Sequence, residues 1–244
     1  MLVEISLAGV TVRLRLRLPE TLRYFSGFLT GRTCEAWDVS IPEDEVYRYP
    51  LICPSGVLDP YGEFYMLMAR TSAFLLRRNR VLIHGVSFLW QGKAWLITAQ
   101  SGVGKTTQLR HWQRLYGDQI QIINGDKTVL EQKEDCSFWL HPSPWTGKEG
   151  DAGRDSGKLA GILVLRQEKE NRICRLAPKD SLVPIYSQFL MLSDTEEETR
   201  LAGRLEDGLL RRMPVWRLDN VGDEASARLT HDTWMEYLGE HETV

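Results

Sequence analysis

Residues 81–126 constrain this chain more than any other stretch. They read VLIHGVSFLW, then GKAWLITAQSGVGKTTQLRHW, then QIINGD. Within them an apolar run at residues 94–98 feeds a glycine-rich turn, and the turn opens a helix at Gly104, Lys105 and Thr106. That order and spacing read as a phosphate-binding loop over residues 99–107. Backbone N–H groups at Ser101, Gly102, Val103 and Gly104 would converge on one centre, with Thr107 completing the turn. Lys105 would reach the outer phosphates and Thr106 would hold Mg²⁺. The pattern usually opens with glycine, and Ala99 stands there. An alanine can adopt any backbone conformation that is not strictly left-handed. The alternative is a strand, a turn and a helix that bind nothing, with Lys105 as a solvated first-turn residue. A lysine there opposes the helix dipole, so the position calls for a compensating anion.

The acid that would complete such a site is Asp126, one helix and one strand further on. A parallel crossover returns it to the same sheet edge as the loop, where it would hold Mg²⁺ or take the acceptor's proton. Gly-Asp is also ordinary turn chemistry, which is the competing reading. His84, followed by Gly85, lies on a strand one hairpin from the loop. A histidine there is ordinarily a packed, hydrogen-bonded core residue, and a catalytic role is the alternative.

Composition bounds the remaining classes. The chain has 244 residues and a formal charge of −3, which gives no footprint for a nucleic-acid partner. Cys34, Cys53, Cys136 and Cys174 form no CxxC pair, which argues against a zinc site and a secreted disulfide scaffold. The start, MLVEISLAG, lacks the pattern of a signal peptide, and no apolar run approaches the ~20 residues of a membrane span. A cytoplasmic protein with no membrane association is the expectation.

Residues 3–18 alternate with period two around Ala8-Gly9, which predicts a hairpin whose arginines (Arg13, Arg15, Arg17) line a solvated face. A short helix over 20–30, a strand over 37–41 and proline-punctuated turns over 42–60 follow. Helical spacing of Phe64, Leu67, Met68, Phe74 and Leu75 predicts a helix over 61–78, with Arg77, Arg78 and Arg80 suited to its C-terminal end. Next come strands over 81–90 and 93–98, the helix from 104 to 116, and a strand over 119–124. A hairpin over 127–140 precedes a long Pro/Gly-rich loop over 141–157. Loops of that length are more often functional than decorative. Strands over 158–166, 171–176 and 214–218 and helices over 178–190, 194–212 and 225–238 complete the chain. The whole reads as an α/β fold, a mixed β-sheet carrying the phosphate-binding loop and flanked by helices. A β-rich N-terminal region over 1–78 would precede a kinase-like core over 79–244.

HG at 84–85, SGVGKTT at 101–107, NGD at 124–126 and PWTGK at 144–148 resemble, in that order, the HPr kinase/phosphorylase family. More distantly they resemble the ATP-dependent phosphoenolpyruvate carboxykinases. The resemblance covers about residues 80–225 and extends to bacterial HPr-kinase-like proteins, a few of which phosphorylate a serine on a precursor peptide. It implies that Ser101, Gly102, Gly104 and Lys105 bind phosphates and that Thr106 binds Mg²⁺. It also implies that Asp126 acts on Mg²⁺ or as base, that His84 lies near the acceptor, and that Lys148 reaches phosphate. Gly125 stands where the family has the first of two acids, and the first 75 residues do not match the family's N-terminal domain. The implied activity is ATP- and Mg²⁺-dependent transfer of a γ-phosphoryl group to a hydroxyl, foremost a serine of a peptide or protein, in a chain that can form homo-oligomers. The alternatives are a non-catalytic nucleotide-binding accessory protein of a peptide-modification system, and a small-molecule kinase.

Overall fold

The computed structural model describes residues 1–31, 37–41, 57–147, 150–191 and 195–241. The chain opens with β1 (Leu2–Leu7) and β2 (Val10–Arg15), an antiparallel hairpin turned at Ala8-Gly9, where both residues have positive φ. Strand β3 (Trp37–Val39) adds to β2 in parallel. A 3-10 helix at Pro19–Phe25 packs against helix α1 (Pro60–Leu76) through Phe25 and Phe64. Asp59 starts α1 by accepting the Gly62 N–H at 2.6 Å, with Pro60 in the first turn where its missing N–H costs nothing. The buried side chain of Glu63 ties this region together. It accepts the N–H of Arg17 at 2.5 Å, the N–H of Leu18 at 3.1 Å and the hydroxyl of Thr21 at 2.6 Å.

The large sheet is nine-stranded. Its strands are β4 (Arg80–His84), β5 (Val86–Trp90), β6 (Lys93–Thr98), β7 (Gln121–Asn124), β8 (Lys127–Gln132), β9 (Phe138–His141), β10 (Gly157–Gln167), β11 (Arg172–Arg175) and β12 (Val215–Asn220). The order along the main path is β4-β8-β9-β10-β6-β5-β7, with β12 beside β10 and β11 beside β12. Strand β10 joins two halves. Its first residues pair antiparallel with β9, and the rest pair parallel with β6 and β12. Helix α2 (Lys105–Tyr116) and α5 (Glu224–His241) cover one region of the sheet over an aromatic core of Trp90, Trp95, Trp112 and Trp234. Helices α3 (Pro178–Tyr186) and α4 (Glu196–Leu210) pack over another. The side chain of Thr195 caps α4 by accepting from Glu198 N–H.

Three departures from the sequence reading position the site. The strand expected over 81–90 is two strands, broken at Gly85. A Cβ on Gly85 would lie 2.8 Å from the Ile97 carbonyl oxygen and 2.8 Å from Leu96 Cδ1, so only glycine fits this corner over β6. The strand ending at Asn124 is not beside the loop strand. Strand β5 lies between β7 and β6 and is antiparallel to both, so β7 and β6 run the same way and still end at one edge. The helix expected over 178–190 stops at Tyr186. The chain after it runs along β4 instead, with Leu190 N–H on Leu82 C=O at 2.8 Å and His84 N–H on Gln188 C=O at 2.9 Å. The proline cluster at 42–56 lies outside the described residues.

Candidate active site

The turn between β6 and α2 holds two glycines in the left-handed region. Gly102 and Gly104 take φ of +82° and +109°, and open space lies where a Cβ on either would sit. Ala99 is not among the positive-φ residues and is buried in the aromatic core, so its methyl group faces away from the turn. No side chain caps α2, whose first helical hydrogen bond runs from Gln108 N–H to Gly104 C=O. The amides ahead of Gln108 therefore have no intrahelical partner. Val103 behaves differently from its neighbours. Its N–H bonds Gln100 C=O at 3.4 Å and its side chain packs towards the core and a separate cavity.

Lys105 is 7% exposed, and its Nζ donates to Ala99 C=O at 2.9 Å and Gln100 C=O at 3.1 Å. Burial lowers its pKa to about 8; Asp126 opposes that shift and Lys127 adds to it. This is not the solvated first-turn lysine of the alternative reading.

Asp126 is held opposite by a dense set of bonds. Asn124, fully buried, accepts the N–H groups of Asp126 at 2.9 Å and Lys127 at 2.8 Å and donates to Ser143 C=O at 2.9 Å. Gly85 N–H bonds the Asp126 carbonyl at 2.8 Å, and Thr98 donates its hydroxyl to the His84 carbonyl at 2.6 Å. The ends of β4, β6 and β7 are thereby locked together. One carboxylate oxygen of Asp126 lies 3.2 Å from His84 Nε2, and the other is ion-paired to Lys127 Nζ. Burial works to raise the Asp126 pKa. The hydrogen bond from His84 and the charge and hydrogen bond of Lys127 outweigh it, and the group sits below its ordinary value. His84 Nδ1 lies 3.2 Å from Gln188 Oε1.

Gly125 has a steric reason to lack a side chain. Its N–H bonds Asp151 C=O at 2.8 Å, and a Cβ would lie 3.0 Å from Asp151 Cβ. The loop over 141–157 crosses here. Gly147 also presses on Asp126, since a Cβ on it would lie 2.9 Å from Asp126 Oδ2. Trp145 anchors that loop. It is 1% exposed, donates its indole N–H to Phe64 C=O at 2.9 Å and stacks on Phe64. Lys148 lies outside the described residues.

Ser101, Gly102, Gly104, Lys105, Thr106, Thr107, His84 and Asp126 all line one cavity of about 580 Å³. Tyr61, Tyr65 and Lys127, which the sequence reading did not single out, line it too. Tyr65 comes from α1. Its ring lies 5.1 Å from Lys127 Nζ, its hydroxyl meets Tyr61 at 3.1 Å, and burial raises its pKa. Lys127 follows Asp126 directly, and that adjacency was the available signal. Nothing local connects Tyr65 to the loop. Among the described residues no cluster of His, Cys, Asp or Glu could hold a metal unaided, and no helix is long and apolar enough to cross a membrane.

No family model matches this chain, and no curated protein matches its sequence. A structural match to the HPr(Ser) kinase/phosphatase from Coxiella burnetii has a TM-score of 0.34 and 11% identity, over 64% of this chain and 98% of that one. At that similarity the match carries no residue-level correspondence. The mixed α/β architecture, a multistranded sheet flanked by helices, rests on the coordinates described above.

Proposed function

We propose that the chain is an ATP- and Mg²⁺-dependent phosphotransferase acting on a hydroxyl, foremost a serine of a peptide or protein. The observation that carries this reading is one cavity with an uncapped helix N-terminus and Lys105 on one wall and the His84–Asp126–Lys127 group on another. The donor set fits a polyphosphate, because unpaired amides and two buried lysines outnumber the single carboxylate. Thr106 is the loop oxygen donor that would hold Mg²⁺, which takes few protein ligands and the rest from phosphate and water; Asp126 would either join it on the ion or serve as the base described next, not both. When bound, Mg²⁺ supplies charge neutralisation at the phosphoryl oxygens.

The chain's own residues do the remaining work. Lys105 exchanges the carbonyls of Ala99 and Gln100 for phosphate oxygens. Lys127 leaves Asp126 for the same anion, and that departure removes a charge that depresses the Asp126 pKa and restores its basicity. Asp126 then accepts the acceptor hydroxyl's proton, with His84 orienting it. Tyr65 and the Trp145-anchored loop shield the cavity from water.

The test is a thermal-shift titration with Mg²⁺ and ATP, followed by mass spectrometry of a candidate acceptor. Saturation at 100 times Kd adds about 2.7 kcal/mol to stability. Lys105→Ala is expected to lose the shift, and Asp126→Asn to keep it and lose transfer. Wild-type behaviour in both variants would overturn the reading. The double engagement of Asp126 by His84 and Lys127 favours a second reading, a nucleotide-binding accessory protein without transfer. A phosphorylated acceptor would exclude it.

A further inference from the structure

A second group of chemistry-bearing side chains lies where β8, β9 and the end of the 141–157 loop meet. Glu131 is buried on β8, His141 ends β9, and Ser156 directly precedes β10. His141 Nε2 is 2.7 Å from Glu131 Oε2, and His141 Nδ1 is 2.8 Å from Ser156 Oγ. Glu131 is also ion-paired to Arg80 from β4 and to Lys133 at 2.8 Å. Burial works to raise the Glu131 pKa; Lys133, Arg80 and His141 outweigh it and hold it below its ordinary value. A carboxylate can only accept, so Nε2 carries the hydrogen of the His141–Glu131 bond. Burial lowers the His141 pKa; Glu131 opposes this, while Lys133 and Arg80 add to it. The imidazole is therefore neutral at pH 7, Nδ1 offers a lone pair, and the Ser156 hydroxyl donates to it.

Ser156 and His141 open on a cavity of about 650 Å³. Its other walls come from the β1–β2 turn at Ala8-Gly9, from Gly27 and Thr30, and from Arg154, the one charged side chain among the described lining residues. The loop carrying Ser156 is clamped. Gly153 N–H bonds Ile123 C=O at 3.0 Å, and a Cβ on Gly153 would lie 2.0 Å from the Ile122 carbonyl oxygen. A hydroxyl, a neutral base bonded to it and an acid orienting that base, all on rigid elements beside a cavity, make an activated-nucleophile arrangement.

We propose that Ser156, His141 and Glu131 form a second catalytic site that cleaves small esters through an acyl intermediate on Ser156. Ser156 Oγ attacks the acyl carbon while its proton passes to His141 Nδ1. The bond from that carbon to the alcohol oxygen breaks, and the leaving oxygen takes the proton from Nδ1. Water then attacks the Ser156 ester and gives one proton to Nδ1. Nδ1 returns that proton to Ser156 Oγ as the carboxylic acid departs. Glu131 stays ionised throughout and fixes the imidazole. Arg154, on the same cavity wall, is the cationic side chain that would offset the charge that develops during each attack. This site is independent of the phosphotransfer reading.

The test uses the full chain, an alkyl fluorophosphonate probe and peptide mass spectrometry. Labelling is expected at Ser156, absent in Ser156→Ala, and slower by about 10²-fold or more in His141→Gln, the scale of a lost general base. Circular dichroism verifies that each variant is folded. Should His141→Gln unfold, the wild-type pH profile decides. The base titrates below its ordinary value, so the labelling rate is expected to be flat from pH 7 upward and to fall only in acid. No labelling at Ser156, labelling that survives in His141→Gln, or a rate that keeps climbing about tenfold per pH unit above 7 overturns the proposal.

Discussion

Burial has lowered the pKa of Lys105 to about 8. An anion that binds the protonated amine raises that pKa again, so binding above pH 8 takes up a proton. Nucleotide affinity is therefore expected to be level below pH ~8 and to weaken by up to about tenfold per unit above it. Calorimetric titrations between pH 7 and 9.5 check this, and a flat profile would remove Lys105 from the contact. Lys127 makes a second case. With Lys127→Met, Asp126 loses its ion pair and its pKa is expected to rise towards the ordinary carboxylate value, readable by NMR titration.

Glycine corners and loop anchors decide matters at the scale of elements. Gly85 lets β4 turn into β5 over the end of β6 while its N–H holds the Asp126 carbonyl. Gly85→Ala is expected to cost about 1–3 kcal/mol through overpacking. Because the added methyl presses on Leu96, Ile97 and Thr98 at the end of β6, the strain also falls where that strand enters the glycine-rich turn. Trp145 has the corresponding role for the 141–157 loop. Trp145→Ala removes a buried indole and its bond to Phe64, at a cost of about 3–5 kcal/mol. Limited proteolysis within 141–157 should accelerate in that variant. A cleavage pattern identical to wild type would show that the loop is held by something else.

Across the whole molecule, the described residues that precede β4 and the large sheet share a core. Ile5, Leu14, Phe25, Phe64 and Leu67 cluster with Leu82 of β4, Val129 of β8 and Trp145. Glu63 sits at the centre of the N-terminal part with three donors on its carboxylate. Glu63→Ala takes the partner from two part-buried N–H groups and from the buried Thr21 hydroxyl, and is expected to cost about 1–3 kcal/mol, read from the urea midpoint. Because α1 also brings Tyr65 to the cavity, the same substitution should weaken the proposed nucleotide binding without altering the turn between β6 and α2.

The strand, turn and helix around residues 94–116 were legible in the sequence, because a strand–turn–helix unit of this kind is local. Its glycines, lysine and threonine sit within one turn of chain, and backbone conformation alone brings them together. The hairpins at Ala8-Gly9 and after β8 were legible for the same reason. What surrounds Asp126 was not. The break at Gly85, the insertion of β5 between β6 and β7, the run of residues 188–190 along β4 and the approach of Tyr65 each depend on contacts between distant segments, where no periodicity records the partner. The Ser156–His141–Glu131 chain belongs to that second class, since it exists only because β8, β9 and a clamped loop converge. Local sequence set the strand, glycine turn and helix that carry Lys105; long-range packing decided which side chains share a cavity with it, because those contacts join segments far apart in the chain.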